Sequence, residues 1–388
     1  MNIRNTFLPF HQPLIETEEI NAVISTLKSG WLSTGPKVHE FEKAMSEYLN
    51  VPYCIALNSG TAALHLALKA IGLQENDEVI IPTNTFTATG EVITYFKAKP
   101  VLVDCKNNDF NIDENQIESK ITDKTRAIMP VHFGGNPCEM KVIKGICAKY
   151  NLKLIEDAAH ALTSQYQGDL IGRHGDITCF SFYATKNITT GEGGMAVTSN
   201  PVYAQKIRKL SLHGINVDAW NRYGEKGSWF YEVTEAGFKY NMSDILAAIG
   251  TIQMTKAESM LKKRTTIAKT YSNQLSNIPS ITLPESNVSN RHSWHLYVIR
   301  INTDQLNIDR DQFIKNLKEY NIGTSVHFIP LHRHPFYKST FGYSSKEFPN
   351  SESIYNNSIS LPIYPKMTKA DVNHVIQAVK QIVSTNQT

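Results

Sequence analysis

Short apolar runs at residues 53–57, 78–82, 100–104, 127–131, 152–157 and 177–182 follow one another without polar alternation. A strand with one wet face alternates polar and apolar residues, so these runs belong to strands buried on both faces. Turn residues and helical apolar spacing separate them: Asn58-Ser59-Gly60-Thr61 leads into a helix over 62–71, and another helix covers 87–97. Strands and helices alternating in this way predict a mainly parallel sheet with helices on both sides.

Beyond Asn241 the pattern changes. Ser243 as N-cap and Asp244 in the first turn open one long helix to residue 264. Strands over 294–301 and 322–328 flank a helix over 309–320. Thr368 caps a last helix to residue 382, with apolar positions at Val372, Val375, Ile376, Val379 and Ile382. The sparse stretch 334–350 reads as a surface loop. The expected organisation is a large α/β domain over 1–250, including an N-terminal segment, and a smaller α+β domain over 251–388.

Composition narrows the function classes. The chain has 388 residues, 19% of them charged, with a net charge of +3 and no long basic block. Nothing in that balance calls for nucleic acid or an anionic membrane as partner. Residues 1–13 lack the apolar core of a signal peptide, and no run approaches the length of a membrane span. The five cysteines, Cys54, Cys105, Cys138, Cys147 and Cys179, form neither a CxxC pair nor a zinc-ligand spacing. Reduced, mostly buried thiols in a cytoplasmic protein, with no bound metal, are the expectation.

Open parallel sheets bind ligands beyond the carboxyl ends of their strands, so the strand ends carry the chemistry. Ser59-Gly60-Thr61 opens a helix whose free N–H groups and positive dipole suit a phosphate. The run Leu154-Ile155-Glu156-Asp157-Ala158-Ala159-His160 ends a buried strand on two carboxylates. Asp157 there either pairs with a protonated heterocyclic nitrogen or caps the next helix. A third strand runs through Phe180-Ser181-Phe182-Tyr183 to Lys186, and a Gly191-Glu192-Gly193-Gly194 turn follows. A lone loop lysine is ordinarily a solvated charge. Packed between sheet and helices, its pKa falls and it becomes usable for Schiff-base chemistry.

With these stretches in view, the sequence resembles the DegT/DnrJ/EryC1/StrS sugar aminotransferases, within the fold type I pyridoxal-phosphate enzymes. The resemblance is carried by Ser59-Gly60-Thr61-Ala62-Ala63-Leu64, Glu156-Asp157-Ala158-Ala159-His160-Ala161, the whole run from Phe180 to Gly194, and Lys239-Tyr240-Asn241-Met242-Ser243-Asp244. Weaker echoes are Trp31-Leu32-Ser33-Thr34-Gly35-Pro36, Leu212-His213-Gly214 and Gly323-Thr324-Ser325-Val326-His327-Phe328. It implies a mainly parallel seven-stranded sheet between helices, and pyridoxal 5'-phosphate as cofactor.

Position by position, the resemblance makes Lys186 the residue that anchors the cofactor and shuttles the proton. Asp157 would pair with the pyridinium nitrogen, Phe86 would stack on one ring face, and His160 would lie near the cofactor oxygen. Gly60, Thr61 and Ser181 would hold the phosphate, and Asn241 would reach it from the second subunit of a homodimer. Trp31, Ser33 and Thr34 would lie near the nucleotide-sugar, and His327 would either lie there or have a structural role. The implied partners are L-glutamate and a nucleotide-linked 4-keto-6-deoxy sugar, UDP-linked and aminated at C4, for surface-glycan or glycoprotein-sugar biosynthesis. The alternatives are a dTDP-linked sugar or C3 amination, a pyridoxal-phosphate sugar dehydratase, and a regulator that keeps the fold without catalysis.

Overall fold

The computed structural model describes residues 4–215, 230–285 and 287–388. The expected large domain over 1–250 also includes 1–3 and 216–229, which lie outside the described residues. Seven strands build the main sheet: β1 (Tyr53–Leu57), β2 (Glu78–Pro82), β3 (Lys99–Val103), β4 (Thr125–Ile128), β5 (Lys153–Asp157), β6 (Ile177–Ser181) and β7 (Gly194–Thr198). Their order across the sheet is β1-β7-β6-β5-β4-β2-β3. Neighbours from β6 through β3 run parallel.

Successive residues of these strands enter two different cores. Ala56, Ile80, Leu154 and Phe180 pack on one face, and Ile55, Ile81, Ile155 and Cys179 pack on the other. That is why the runs show no polar alternation. Burying each large aliphatic side chain contributes about 1.5–3 kcal/mol, so both faces hold the sheet in register.

Sequence pattern alone did not disclose β7. It lies antiparallel between β1 and β6, with Gly194 opposite both Leu57 and Ser181. A Cβ on Gly194 would sit 2.2 Å from the Ser59 carbonyl oxygen, so only glycine lets the strand pass the Ser59-Gly60 turn.

The long helix runs from Asp244 to Leu275, past the expected end at 264 and straight through position 250. The Ser243 hydroxyl accepts from the Leu246 N–H, as an N-cap does. Met254, Ala257 and Met260 join the core of the large sheet, while Ile267, Ala268, Tyr271 and Leu275 join a separate core. That second core covers a three-stranded antiparallel sheet, β8 (Ile281–Thr282), β9 (Tyr297–Ile301) and β10 (Ser358–Leu361). The helices Arg310–Glu319 and Lys369–Thr385 close it, and Thr368 and Asp371 form a capping box on the latter.

Two expectations need correction. Residues 322–328 form no strand; they make only isolated bridges, Ile322 with Leu8 and Ser325 with Ser360. The N-terminal segment occupies the space beside them, and Gly323 packs against Phe10 and Leu8. Residues 334–350 are not a loose surface loop. The helix Pro335–Phe341 forms there, and Tyr337 and Phe348 are buried anchors in the core of the large sheet. Polar neighbours conceal those two aromatics in the sequence. The five cysteines are unpaired and buried, and no described helix is long and apolar enough to cross a membrane.

Candidate active site

A cavity of about 460 Å³ opens beyond the carboxyl ends of β1, β5 and β6, where strand polarity predicts a ligand site. Gly60, Thr61, Asp157, Ser181 and Lys186 all line it, as do Phe86, His160 and His327.

One end of the cavity is the start of the helix Gly60–Ile71. The Ser59 hydroxyl caps it by accepting from the Ala62 N–H at 3.0 Å. N–H groups in a first helical turn have no intrahelical acceptor and carry the positive end of the dipole. Gly60 lies so close to Ser181 that an added Cβ would be 2.9 Å from the Ser181 Cβ. A strand-end hydroxyl and a helix N-terminus therefore face the same space, an arrangement that favours an anion.

At the floor, the buried Asp157 carboxylate accepts from the Thr89 hydroxyl at 2.8 Å and from the Ala159 N–H at 3.1 Å. No helix begins after it, so the capping role weighed from sequence does not apply. Burial raises the Asp157 pKa, opposed by the Thr89 and Ala159 hydrogen bonds and by the Lys186 charge. Lys186 keeps only a part of its surface open, and its pKa is lowered to about 8 by burial, against the pull of Asp157. At neutral pH such a lysine holds far more free amine than an ordinary one.

His160 accepts the Gly134 N–H at Nδ1, 3.2 Å away, so the ring proton of its neutral form is on Nε2. Burial, then Lys186 and His327, hold its pKa well below the ordinary value. It is a neutral donor at physiological pH. His327 pairs through Nδ1 with the Ser360 hydroxyl at 2.8 Å. Phe86 is 56% exposed, its ring 5.7 Å from that of Phe328.

The structure does not bring every expected residue to this cavity. Trp31, Ser33, Thr34 and Asn241 are not in its lining. The Trp31 indole donates to the Thr34 carbonyl at 3.0 Å, the Thr34 hydroxyl to the Met242 carbonyl at 2.6 Å, and the Ser33 carbonyl accepts from the Asp244 N–H at 3.2 Å. Asp244 ties this loop down by accepting from the N–H groups of Gly35, Lys37 and Val38.

Conversely, Phe10, Thr85, His295 and Phe328 line the cavity without having been singled out from sequence. The His295 ring lies 4.3 Å from His160. Thr85 and Thr89 left a faint signal, as hydroxyls one helical turn apart around Phe86. His295 left none, because it sits in an apolar run that reads as strand entry.

The lining fits the cofactor that the resemblance implies. An anion site, an amine with a lowered pKa and a buried carboxylate share one space, and an exposed aromatic ring stands beside them. These match the phosphate, aldehyde, ring nitrogen and ring face of pyridoxal phosphate.

Known proteins agree. A sequence profile of the DegT/DnrJ/EryC1/StrS aminotransferase family matches residues 13–380. The spore coat polysaccharide biosynthesis protein SpsC of Bacillus subtilis (strain 168) is 48% identical over 381 residues, covering 98% of each chain. The putative sugar aminotransferase Spr1654 from Streptococcus pneumoniae, solved in PMP, PLP and apo forms, superposes with a TM-score of 0.92 for the PMP form. That form is 34% identical and covers 97% of this chain and 99% of its own. Helicobacter pylori PseC, an aminotransferase involved in the biosynthesis of pseudoaminic acid, gives a TM-score of 0.91 at 28% identity, over 98% of this chain and 100% of its own. With the matched residues spanning nearly the whole sequence, the chain belongs to the DegT/DnrJ/EryC1/StrS aminotransferase family of pyridoxal-phosphate-dependent sugar aminotransferases.

Proposed function

We propose that this enzyme transfers the amino group of L-glutamate to C4 of a UDP-linked 4-keto-6-deoxy sugar, in the cytoplasm, for surface-glycan biosynthesis. The observation that carries the reading is the joint placement of Lys186 and Asp157 in one cavity, with the amine's pKa lowered to about 8. The similarity to SpsC and PseC, whose names point to polysaccharide and pseudoaminic acid biosynthesis, supports the glycan assignment. Five unpaired thiols suit a reducing compartment.

Bound in the cavity, pyridoxal phosphate supplies an electron sink for the carbon that carries the migrating amine. Gly60, Thr61 and Ser181 would hold its phosphate, Lys186 would anchor it, Phe86 would offer a face for its ring, and Asp157 would keep the ring nitrogen protonated. The Nε2–H of His160 would be a donor to it. Once released from the cofactor, the Lys186 amine would take the proton from Cα of glutamate and pass it to the cofactor's aldehyde carbon, and in the second half-reaction would take it back from there and deliver it to C4 of the sugar. One tethered base serves both carbons, which replaces two encounters with a short swing of one side chain. In this reading the protein is a homodimer, and the partner's Asn241 completes the phosphate site. Trp31, Ser33, Thr34 and His327 contact the nucleotide-sugar. Residues 1–250 and 251–388 act as two domains that share the long helix, with Met254, Ala257, Met260, Tyr337 and Phe348 of the second packed into the core of the large sheet.

Incubation of the enzyme with glutamate and either UDP- or dTDP-linked 4-keto-6-deoxy sugars, followed by NMR of the product, tests the proposal. A 4-amino UDP-sugar is expected. Exclusive turnover of the dTDP-sugar, or an amine at C3, would overturn the substrate assignment.

A further inference from the structure

Two threonines stand behind the carboxylate at the cavity floor. Thr89 is fully buried in the first turn of the helix Thr87–Thr94, and Thr85 is 1% exposed one turn before it. The Thr89 hydroxyl lies 2.8 Å from Oδ2 of Asp157, and the two threonine hydroxyls lie 2.7 Å apart. An ionised carboxylate can only accept, so the single Thr89 proton goes to Asp157. The Thr89 oxygen must then accept from Thr85. The chain of donation runs one way, from Thr85 through Thr89 to Asp157.

The other carboxylate oxygen, Oδ1, accepts from the Ala159 N–H at 3.1 Å. Each oxygen thus has one fixed partner and still has a lone pair to offer. Rotating the carboxylate would break both bonds in a buried site, where an unpaired polar group is costly. Lys186 and His132 are the cationic or titratable groups that favour its charge. The buried Glu156, itself bonded to His132, and the Cys179 thiol are its other titratable neighbours.

We propose that Thr89, backed by Thr85, is a positioning residue that fixes the Asp157 carboxylate toward the ring nitrogen of the cofactor before the cofactor arrives. This rests on the cofactor reading given above. The segment Thr85-Phe86-Thr87-Ala88-Thr89 then serves the ring twice. Phe86 faces the cavity, while the Thr89 hydroxyl, backed by that of Thr85, holds the carboxylate. Preorganisation of this kind favours the charged contact because nothing has to reorient when it forms.

The test is a fluorescence titration of the full-length apo-protein with pyridoxal phosphate and with its 1-deaza analogue, which has C–H in place of the ring nitrogen. Thr89→Val should bind pyridoxal phosphate about tenfold more weakly than the parent. Its affinity for the deaza analogue should be unchanged, because that ligand offers Asp157 no ring N–H. Thr89→Ser should restore affinity to within about twofold, and Thr85→Val should show a smaller loss of the same selectivity. Equal loss for both ligands, parental affinity in Thr89→Val, or failure of serine to rescue would overturn the proposal. If Thr89→Val does not fold, Thr89→Ser and Thr85→Val decide it: selective loss in Thr85→Val supports the chain of donation, and parental behaviour rejects it. Asp157→Asn separates the two readings. If neither the parent nor Asp157→Asn distinguishes the ligands, the cofactor reading itself has failed, whatever Thr89 does.

Discussion

The Asn241 side-chain amide donates to the Thr34 hydroxyl at 2.7 Å, and neither residue lines the cavity that contains Lys186 and Asp157. Asn241 also accepts from Lys239 at 2.7 Å, so its side chain is held outside that cavity, beside the end of β1, where Asn241 and Leu57 form a backbone bridge. In a two-fold homodimer, a residue held there can serve the partner's cavity. Mixing Lys186→Ala with Asn241→Asp should then give hybrid dimers in which one site holds both native residues. The aspartate repels a phosphate dianion, so that parent should be impaired alone. Activity should recover towards one intact site per hybrid. Hybrids formed but inactive, or an active monomer at working dilution, would disprove the shared site.

Lys186 should be the anchoring residue. Borohydride reduction of the yellow enzyme and peptide mass mapping should find the pyridoxyl label there, and Lys186→Ala should have no turnover. Because its pKa is lowered to about 8, the reactive free amine is reached at lower pH than for an ordinary lysine. The rate at which apo-enzyme attaches pyridoxal phosphate should rise with pH, pass its midpoint near 8 and level off above. A midpoint above 10 would show a solvated lysine.

Asp157→Asn should bind the cofactor more weakly by about 1.5–3 kcal/mol, the worth of a charge-assisted hydrogen bond, and lose most activity. A neutral amide cannot keep the ring nitrogen protonated. Equilibrium titration and single-turnover kinetics with glutamate measure both effects; parental values in both would exclude the pairing.

Gly60→Ala tests the anion end alone. Its methyl group would lie 2.9 Å from the Ser181 Cβ, closer than carbon atoms pack, and either Ser181 or the helix start must move. Overpacking of this kind costs about 1–3 kcal/mol. Weaker binding of inorganic phosphate to the apo-protein, together with a lower thermal midpoint, is expected. Unchanged phosphate affinity would remove Gly60 from the anion site.

Much of this site was legible because its residues stand at strand ends that announce themselves. Ser59, Asp157 and Ser181 each close or follow a run with two buried faces, and Lys186 lies in the loop that leaves β6. Local rules also placed the caps Ser243 and Thr368, since an N-cap depends on neighbours within a few residues. Thr89 was less visible, because a threonine in an apolar helix start looks like any other until its acceptor is known.

The sequence by itself determined that a doubly covered parallel sheet would form and which of its ends would border the cavity. Only the tertiary structure decided that β7 inserts antiparallel between β1 and β6, that Tyr337 and Phe348 anchor a seemingly polar stretch, and that the rings of His295 and His160 meet. The physical reason is range. Burial on both faces and helix capping are set by residues adjacent in the chain, whereas strand order and the meeting of distant side chains follow from how the whole chain packs its two cores.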